Sequence, residues 1–234
     1  MRLFRRALSA GIAFGVMGLA PPAHAATTVH HWAMDEPPGW GTMVDASTSP
    51  SDGKWSHITA GVPGFGLTAY DFNGTSSKVV VADDSSLDPG TSAFTYTVHV
   101  NFTRVPDSGV GDYDLIRKGL SGTSGGYWKA EIYPNSSHTK ALALCQMAGS
   151  TGAAKLVKPG PAKLNDGLWH TITCAKDLDR SNPGLTMTVD GVSYFQAAKI
   201  GSISNSAPLS VGAKASGGDW YDGVMDEATL EIGQ

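Results

Sequence analysis

The residues of this sequence that could do chemistry are carboxylates, aromatic rings and one pair of cysteines. Near the C-terminus, Asp226-Glu227-Ala228-Thr229-Leu230-Glu231 places Glu227 and Glu231 on one face of an extended chain. A retaining glycosidase needs two carboxyl groups about 5 to 5.5 Å apart, one as acid and one as nucleophile. A Ser-His-Asp triad could be drawn from the many serines, yet the one G-x-S-x-G string, Gly122 to Gly126, lies in a glycine-rich turn with no helical period after it and so lacks the strand-to-helix setting of a nucleophile elbow. Aromatic rings offer a different chemistry, because flat faces stack on sugar rings while amides and carboxylates meet the hydroxyls. Trp40 and Trp55 lie in a front segment rich in Gly, Ser and Pro, Trp128 follows the turn from Ser121 to Gly126, and Trp220 and Tyr221 follow Gly217-Gly218-Asp219. Trp40, Trp55, Trp128, Trp220 and Tyr221 are therefore the candidate ligand-binding residues, against the commoner fate of a Trp as a loop anchor.

The two cysteines, Cys145 and Cys174, each sit in the middle of an apolar, strand-like run. In an exported protein such a pair is expected to form a disulfide, contributing about 3 kcal/mol in the chain-entropy model. The alternative is two buried free thiols; zinc is disfavoured, since no His or Cys stands nearby at ligand spacing.

Export is expected from the first 25 residues. Arg2, Arg5 and Arg6 precede an uncharged apolar run from Ala7 to Ala20, and Pro21-Pro22-Ala23-His24-Ala25 ends in an A-x-A cleavage pattern. The run is shorter than the roughly 20 residues of a spanning helix, so it reads as a secretory signal and not as an anchor. Arg5-Arg6 leaves the twin-arginine route open. Cleavage after Ala25 leaves one domain, residues 26–234, with 14 Lys+Arg against 21 Asp+Glu and a formal charge of −7. That balance excludes nucleic acid and anionic membranes as partners, because both are met by clustered Lys and Arg.

The elements that must position these groups are strands. Asp166 to Gly191 states a hairpin: Leu168, His170, Ile172 and Cys174 alternate with Trp169, Thr171, Thr173 and Ala175, Leu185, Met187 and Val189 alternate with Thr186 and Thr188, and Asp177 to Gly184 between them has turn composition. Asp190-Gly191 suits a tight primed turn into another strand. Phe94 to Phe102 shows the strongest two-residue period, with Phe94, Tyr96, Val98, Val100 and Phe102 on one face. Asn73-Gly74 signals a further hairpin, and Gly39 to Gly66 reads as irregular. Ten or more short strands, 29 Gly and 13 Pro, with no helical periodicity after the signal, imply an all-β fold of two packed antiparallel sheets.

Four motifs stand in order along the chain: His31-Trp32-Ala33-Met34-Asp35-Glu36 with Asp45; Tyr70-Asp71-Phe72-Asn73-Gly74-Thr75 with Leu87-Asp88-Pro89 and Phe94-Thr95; Asp166-Gly167-Leu168-Trp169-His170-Thr171 with Val189-Asp190-Gly191; and Val211-Gly212 with Trp220 to Glu227. Together they resemble a laminin G-like domain of the concanavalin A-like lectin and glucanase superfamily, of bacterial exported type. The resemblance implies a jelly-roll sandwich and leaves the ligand open, since lectins, adhesion modules and hydrolases share the scaffold. It implies structural roles for Trp169 and His170, and core positions for Phe72, Phe94 and Val224. In such jelly rolls the first and last strands run side by side, which would let Asp35, Glu36, Asp45 and Asp226 meet. Hard oxygen ligands of that kind suit Ca²⁺, and a structural calcium ion is one expectation; surface ion pairs and turn caps are the other. The glucanases of this fold carry E-x-D-x-x-E on one strand, a string absent here. No catalytic residue is therefore assigned. The expected function is non-catalytic binding of a carbohydrate by a secreted monomer, with an extracellular protein ligand as the alternative and a glucanase-type hydrolase as the less favoured one.

Overall fold

Strict alternation of apolar and polar residues can bury only one face of a strand, so a chain built of such segments must stack two sheets. The computed structural model describes residues 27–107, 109, 111–179 and 181–233; the expected signal segment lies outside the described residues. The strands are β1 (Thr27–Trp32), β2 (Thr42–Met43), β3 (Gly53–Ser56), β4 (Thr59–Pro63), β5 (Thr68–Asn73), β6 (Lys78–Val81), β7 (Phe94–Asn101), β8 (Tyr113–Lys118), β9 (Tyr127–Pro134), β10 (Ala141–Ala148), β11 (Ala153–Lys158), β12 (His170–Asp177), β13 (Gly184–Val189), β14 (Val192–Ala197), β15 (Leu209–Val211) and β16 (Asp222–Ile232). A 3-10 turn covers Ser85–Leu87.

One antiparallel sheet runs β14-β13-β12-β7-β16-β5-β4, with β1 also on β16; the other runs β11-β10-β9-β8-β15-β6-β3-β2. Strand β16 is the hub of the first sheet. One edge pairs with β7 along nearly its whole length, while the other pairs with β5 through Asp222 to Met225 and with β1 through Ala228 to Ile232. The all-β sandwich and the jelly-roll neighbourhood of first and last strands are as the sequence implies. The hairpin from Asp166 to Gly191 is β12 and β13, and its Asp190-Gly191 turn has φ of 48° and 80°, the positive pair of a primed turn.

Three expectations need correction. The segment from Gly39 to Gly66 is not irregular; it contains β2, β3 and β4, whose few residues are too short to show a period. Asn73-Gly74 does not close a hairpin, because β5 and β6 belong to different sheets. The Asn73 side-chain oxygen accepts from the N–H groups of Thr75, Ser76 and Ser77, making a corner that carries the chain across the sandwich. Val224 is half-buried on the outer face, paired with Asn101, and Met225 takes the core position.

Trp32, Phe72, Tyr96, Trp128 and Met225 are among the side chains buried between the sheets. Cys145 of β10 and Cys174 of β12 form a disulfide, Cα atoms 5.8 Å apart, so the covalent link joins one sheet to the other through the core. With the cysteines 29 positions apart, the chain-entropy model assigns it about 3.5 kcal/mol. The double variant C145A/C174A is expected to lose about that much stability in urea unfolding. An unchanged midpoint would show that the link constrains nothing.

The outer face of the second sheet buries a charge network. Arg117 donates to both oxygens of Asp114 at 2.7 and 2.8 Å and lies 3.7 Å from Glu131; Lys129 pairs with Glu131, and Lys214 with Asp219. Burial, then Asp114, pushes the Glu131 carboxyl up to about 7. Burial, then Glu131 and Asp219, pushes Asp112 up to about 7. A carboxyl with a folded value above its unfolded one of about 4 holds its proton more tightly in the folded chain. Its contribution is complete below that unfolded value and is lost as pH rises through about 7. The melting temperature is therefore expected to fall between pH 5 and pH 8, and Glu131→Gln to flatten the fall; an identical slope in the variant would refute the assignment.

Candidate functional site

The outer face of the first sheet is lined by the polar half of each alternating strand. Thr95, Thr97, His99 and Asn101 project from β7, Thr171 and Thr173 from β12, and Thr229 and Glu231 from β16. Here β16 carries a bulge, its register slipping between Asp226 and Thr229, with Glu227 at φ 51°. A bulge adds one residue to one strand and re-aims the side chains beside it. Asp226 and Glu227 thus both serve the outer side, where strict alternation would have sent one inward.

Asp226 is fully buried by the tip of the β4–β5 hairpin. Its Oδ2 accepts from the N–H groups of Phe65 and Gly66 at 2.8 and 2.9 Å, and its Oδ1 from the N–H of Glu227. Burial raises its pKa, against the lowering by these donors. The tip must carry glycines: a Cβ on Gly64 would stand 2.7 Å from Asp226 Oδ2, and one on Gly66 2.8 Å from Glu227 Oε1. Between them, Phe65 lays its ring on His99, centroids 3.9 Å apart and planes within 16°, and meets Trp169 edge-on at 6.0 Å. Phe65 remains 51% exposed. Burial lowers the His99 pKa, which favours a neutral ring beneath it.

Beside this platform lies an open depression of about 420 Å³ lined by Phe65, Gly66, Thr97, His99, Glu227, Thr229 and Glu231. Glu227 is held by His31 Nε2 at 2.5 Å. The depression therefore presents one exposed ring, threonine hydroxyls, an imidazole and two carboxylates, which is the mixture that grips a hydroxylated ring. Phe65, Thr97 and His99 were not singled out as ligand groups in the sequence. The only signal was the polar face of the Phe94–Phe102 alternation and a Gly-Phe-Gly string.

The candidates from sequence fare differently. Trp128 and Tyr221 are fully buried: Trp128 packs on Tyr96, and Tyr221 packs edge-on against Phe72, Phe102 and Tyr113. Neither can face a ligand in this fold. Trp55 packs edge-on against Tyr70, and Trp220 lies half-buried under Lys78 Nζ. Trp40 is 60% exposed, but none of these five residues lines the depression. Trp169 is half-buried against Phe65, while His170, pinned by Asp190 at 2.8 Å and Asp166 at 3.2 Å, has the structural role implied for it.

The four carboxylates expected to hold calcium are not gathered into one cage. Asp35 accepts from Thr68; Glu36 accepts from Val44 N–H and the Tyr70 hydroxyl; Asp226 serves the hairpin tip. Among the described residues, no group of three or more His, Cys, Asp or Glu side chains is arranged to hold a metal. The donor sets around these oxygens are N–H and O–H groups, which do not fit a cation.

Asp45 instead belongs to a chain of three. Its Oδ2 meets His30 Nδ1 at 2.6 Å, and His30 Nε2 meets Ser86 Oγ at 3.1 Å. Burial opposes its charge, but His30 and the N–H groups of Ser51, His31 and Ser47 bring its pKa to about 2. An ionised acceptor on Nδ1 places the imidazole proton there, leaving Nε2 to accept from Ser86. The order is that of a serine triad, but the N–H groups of Ser86 and Leu87 both donate to Asp84 and cannot serve an oxyanion. His30 is fully buried and stacked on Trp32. The chain braces β1 against the 45–51 loop and the 3-10 turn.

A family model described as the concanavalin A-like lectin/glucanases superfamily, of laminin G type, matches residues 72–231. Comparison with curated proteins finds no match. Among solved structures, domain 4 of AbnA, a GH43 extracellular arabinanase from Geobacillus stearothermophilus in complex with arabinotriose, is 15% identical with TM-score 0.59, over 89% of this chain and 93% of that one. The binding domain of Paraclostridial Mosquitocidal Protein 1 is 13% identical with TM-score 0.62 over 88% of this chain, which spans 49% of that domain. The endo-1,3-beta-glucanase from Streptomyces sioyaensis is 15% identical with TM-score 0.52, over 92% and 98%. At such identities the likeness is one of fold.

An amide at position 45 keeps an acceptor for the His31 and Ser47 N–H groups but sets an NH2 donor against His30 Nδ1 and the Ser51 N–H. Asp45→Asn is expected to lose about 3 kcal/mol in urea unfolding, as buried ionic contacts do when one partner goes. A loss below about 0.5 kcal/mol, the level of ordinary surface changes, would show that the brace carries no weight.

Proposed function

The chain belongs to the concanavalin A-like lectin/glucanase superfamily, and on that premise we propose that it is a non-catalytic carbohydrate-binding module acting outside the cell. The observation that carries the reading is the half-exposed Phe65 ring, held over His99 and against Trp169 beside a depression of threonines and glutamates. Stacking needs a flat apolar face that is already fixed, so that little freedom is lost on binding. Phe65 meets this requirement through the two N–H bonds that anchor its backbone and that of Gly66 to Asp226. The arabinanase domain of like fold, solved with arabinotriose, supports a saccharide as the ligand.

An extracellular setting is supported by the signal-like first segment and by the disulfide. Among the described residues, no helix is long and apolar enough to cross a membrane.

A hydrolase is the second reading, favoured by one observation: Glu227 and Glu231 border the same depression. Against it, Glu227 is tied to His31 and the carboxylate between them in the glucanase string is replaced by apolar and hydroxyl residues.

The test is a glycan array followed by affinity measurement. Phe65→Ala is expected to weaken the retained glycan at least tenfold, about 1.4 kcal/mol, and Trp169→Ala to weaken it less. Unchanged binding in Phe65→Ala would move the site elsewhere. No retained glycan would favour a protein ligand, and cleavage of a polysaccharide that is lost in Glu227→Gln would establish the hydrolase.

A further inference from the structure

A second depression, of about 350 Å³, opens on the same two central strands, bordered by Asn101, Arg104, Asp222 and Val224. The register shows how it stands to the first. Val224 pairs with Asn101, Asp226 with His99 and Thr229 with Thr97, so the two depressions are successive stations along β7 and β16. Thr97 and Asn101 are four positions apart on β7, about 13 Å in an extended strand. His99 lies between those residues, and the Phe65 ring lies on His99. The exposed ring is therefore a crest with a polar hollow on either side.

We propose that the ligand is an extended polysaccharide chain laid along β7 and β16, filling both depressions and crossing the Phe65 ring between them; this rests on the carbohydrate reading above. The chemistry of each station suits a hydroxylated chain. The first presents Thr97, Thr229, Glu227 and Glu231; the second presents the Asn101 amide and the exposed pair of Arg104 Nη1 and Asp222 Oδ2 at 3.1 Å. Amides, guanidinium and carboxylates supply both donors and acceptors, which hydroxyls need. A mono- or disaccharide can occupy one hollow. Only a longer chain reaches the other, and the second contact is then made without a second loss of translational freedom. The site so described selects the interior of a polymer over its end.

The probes are arabino-oligosaccharides and β-1,3-gluco-oligosaccharides of two, three and six units, measured by titration calorimetry against the full chain. The six-unit member of at least one series is expected to bind at least tenfold more tightly than its two-unit member. Val224→Trp, which fills the second hollow, is expected to remove that gain. Arg104 is 78% exposed at its side chain, so Arg104→Ala provides a variant that cannot fail by unfolding; it is expected to reduce the gain at least threefold. Equal affinity for two and six units in the unaltered protein, or a gain that survives both substitutions, would overturn the extended-chain inference while leaving the carbohydrate reading in place. Failure of both series to bind at any length would overturn the two together.

Discussion

The bulge in β16 is the constraint on which the outer face of the first sheet depends. Regular alternation through Asp226 and Glu227 would have turned one carboxylate into the core, where an unpaired charge has a large desolvation cost. The extra residue keeps both on the outer side at the cost of a positive φ at Glu227, about 1 kcal/mol for a residue with a Cβ. Three N–H donors to Asp226 and the His31 contact to Glu227 offset that strain. Because β16 is shared by β1, β5 and β7, the same bulge sets the register of the sheet's centre. It also fixes where the β4–β5 hairpin tip lands, and so where Phe65 rests.

The two outer faces of the sandwich have been treated differently by the chain. On the second sheet, Asp114 stands opposite Glu131 and Arg117 opposite Lys129, and these charges pair with one another, Asp114, Arg117 and Glu131 being buried, although Glu131 Oε2 has no hydrogen-bond partner. Most of the charge on that face is spent on internal pairs, and the hollow of about 320 Å³ beside Arg117 is bordered largely by small and apolar residues such as Leu120, Ala207 and Pro208. On the first sheet the row of threonines keeps hydroxyls that can turn either way, and Glu231 stands beside an open hollow. The first face thus sets neutral hydroxyls, some of them bonded to one another, around an open hollow, while the second sets buried charges against each other.

The sequence discloses what is local. The β12–β13 hairpin, the apolar face of β7 and the Asp190-Gly191 turn follow from two-residue periods and positive-φ chemistry within a few residues, and the structure contains each. The cysteines were legible because only two exist and both sit in apolar runs. What escaped was set by contacts between distant residues. Phe65 and Asp226 are 161 positions apart, and no local pattern says that a Gly-Phe-Gly turn will be pinned on a carboxylate in the last strand. Asn73-Gly74 has the composition of a hairpin, but its outcome depends on which sheet the next strand joins. Trp128 and Tyr221 stand next to glycines just as Trp220 does; the parity of a neighbouring strand, not the loop, decides which ring turns inward.

The hairpin tip that carries Phe65 is attached to the sandwich through backbone N–H groups. Its hydrogen bonds to Asp226 come from the backbone alone, so the residue at position 65, whose ring adds the contacts with His99 and Trp169, and the 76% exposed Leu67 beyond it can vary while that anchor persists. A lineage could exchange the ring for another shape and acquire a new preference without disturbing β4, β5 or the core. The tip is in that sense an interchangeable reading head on a fixed mount, and the place where divergence of specificity among proteins of this scaffold would leave the smallest trace in their folds.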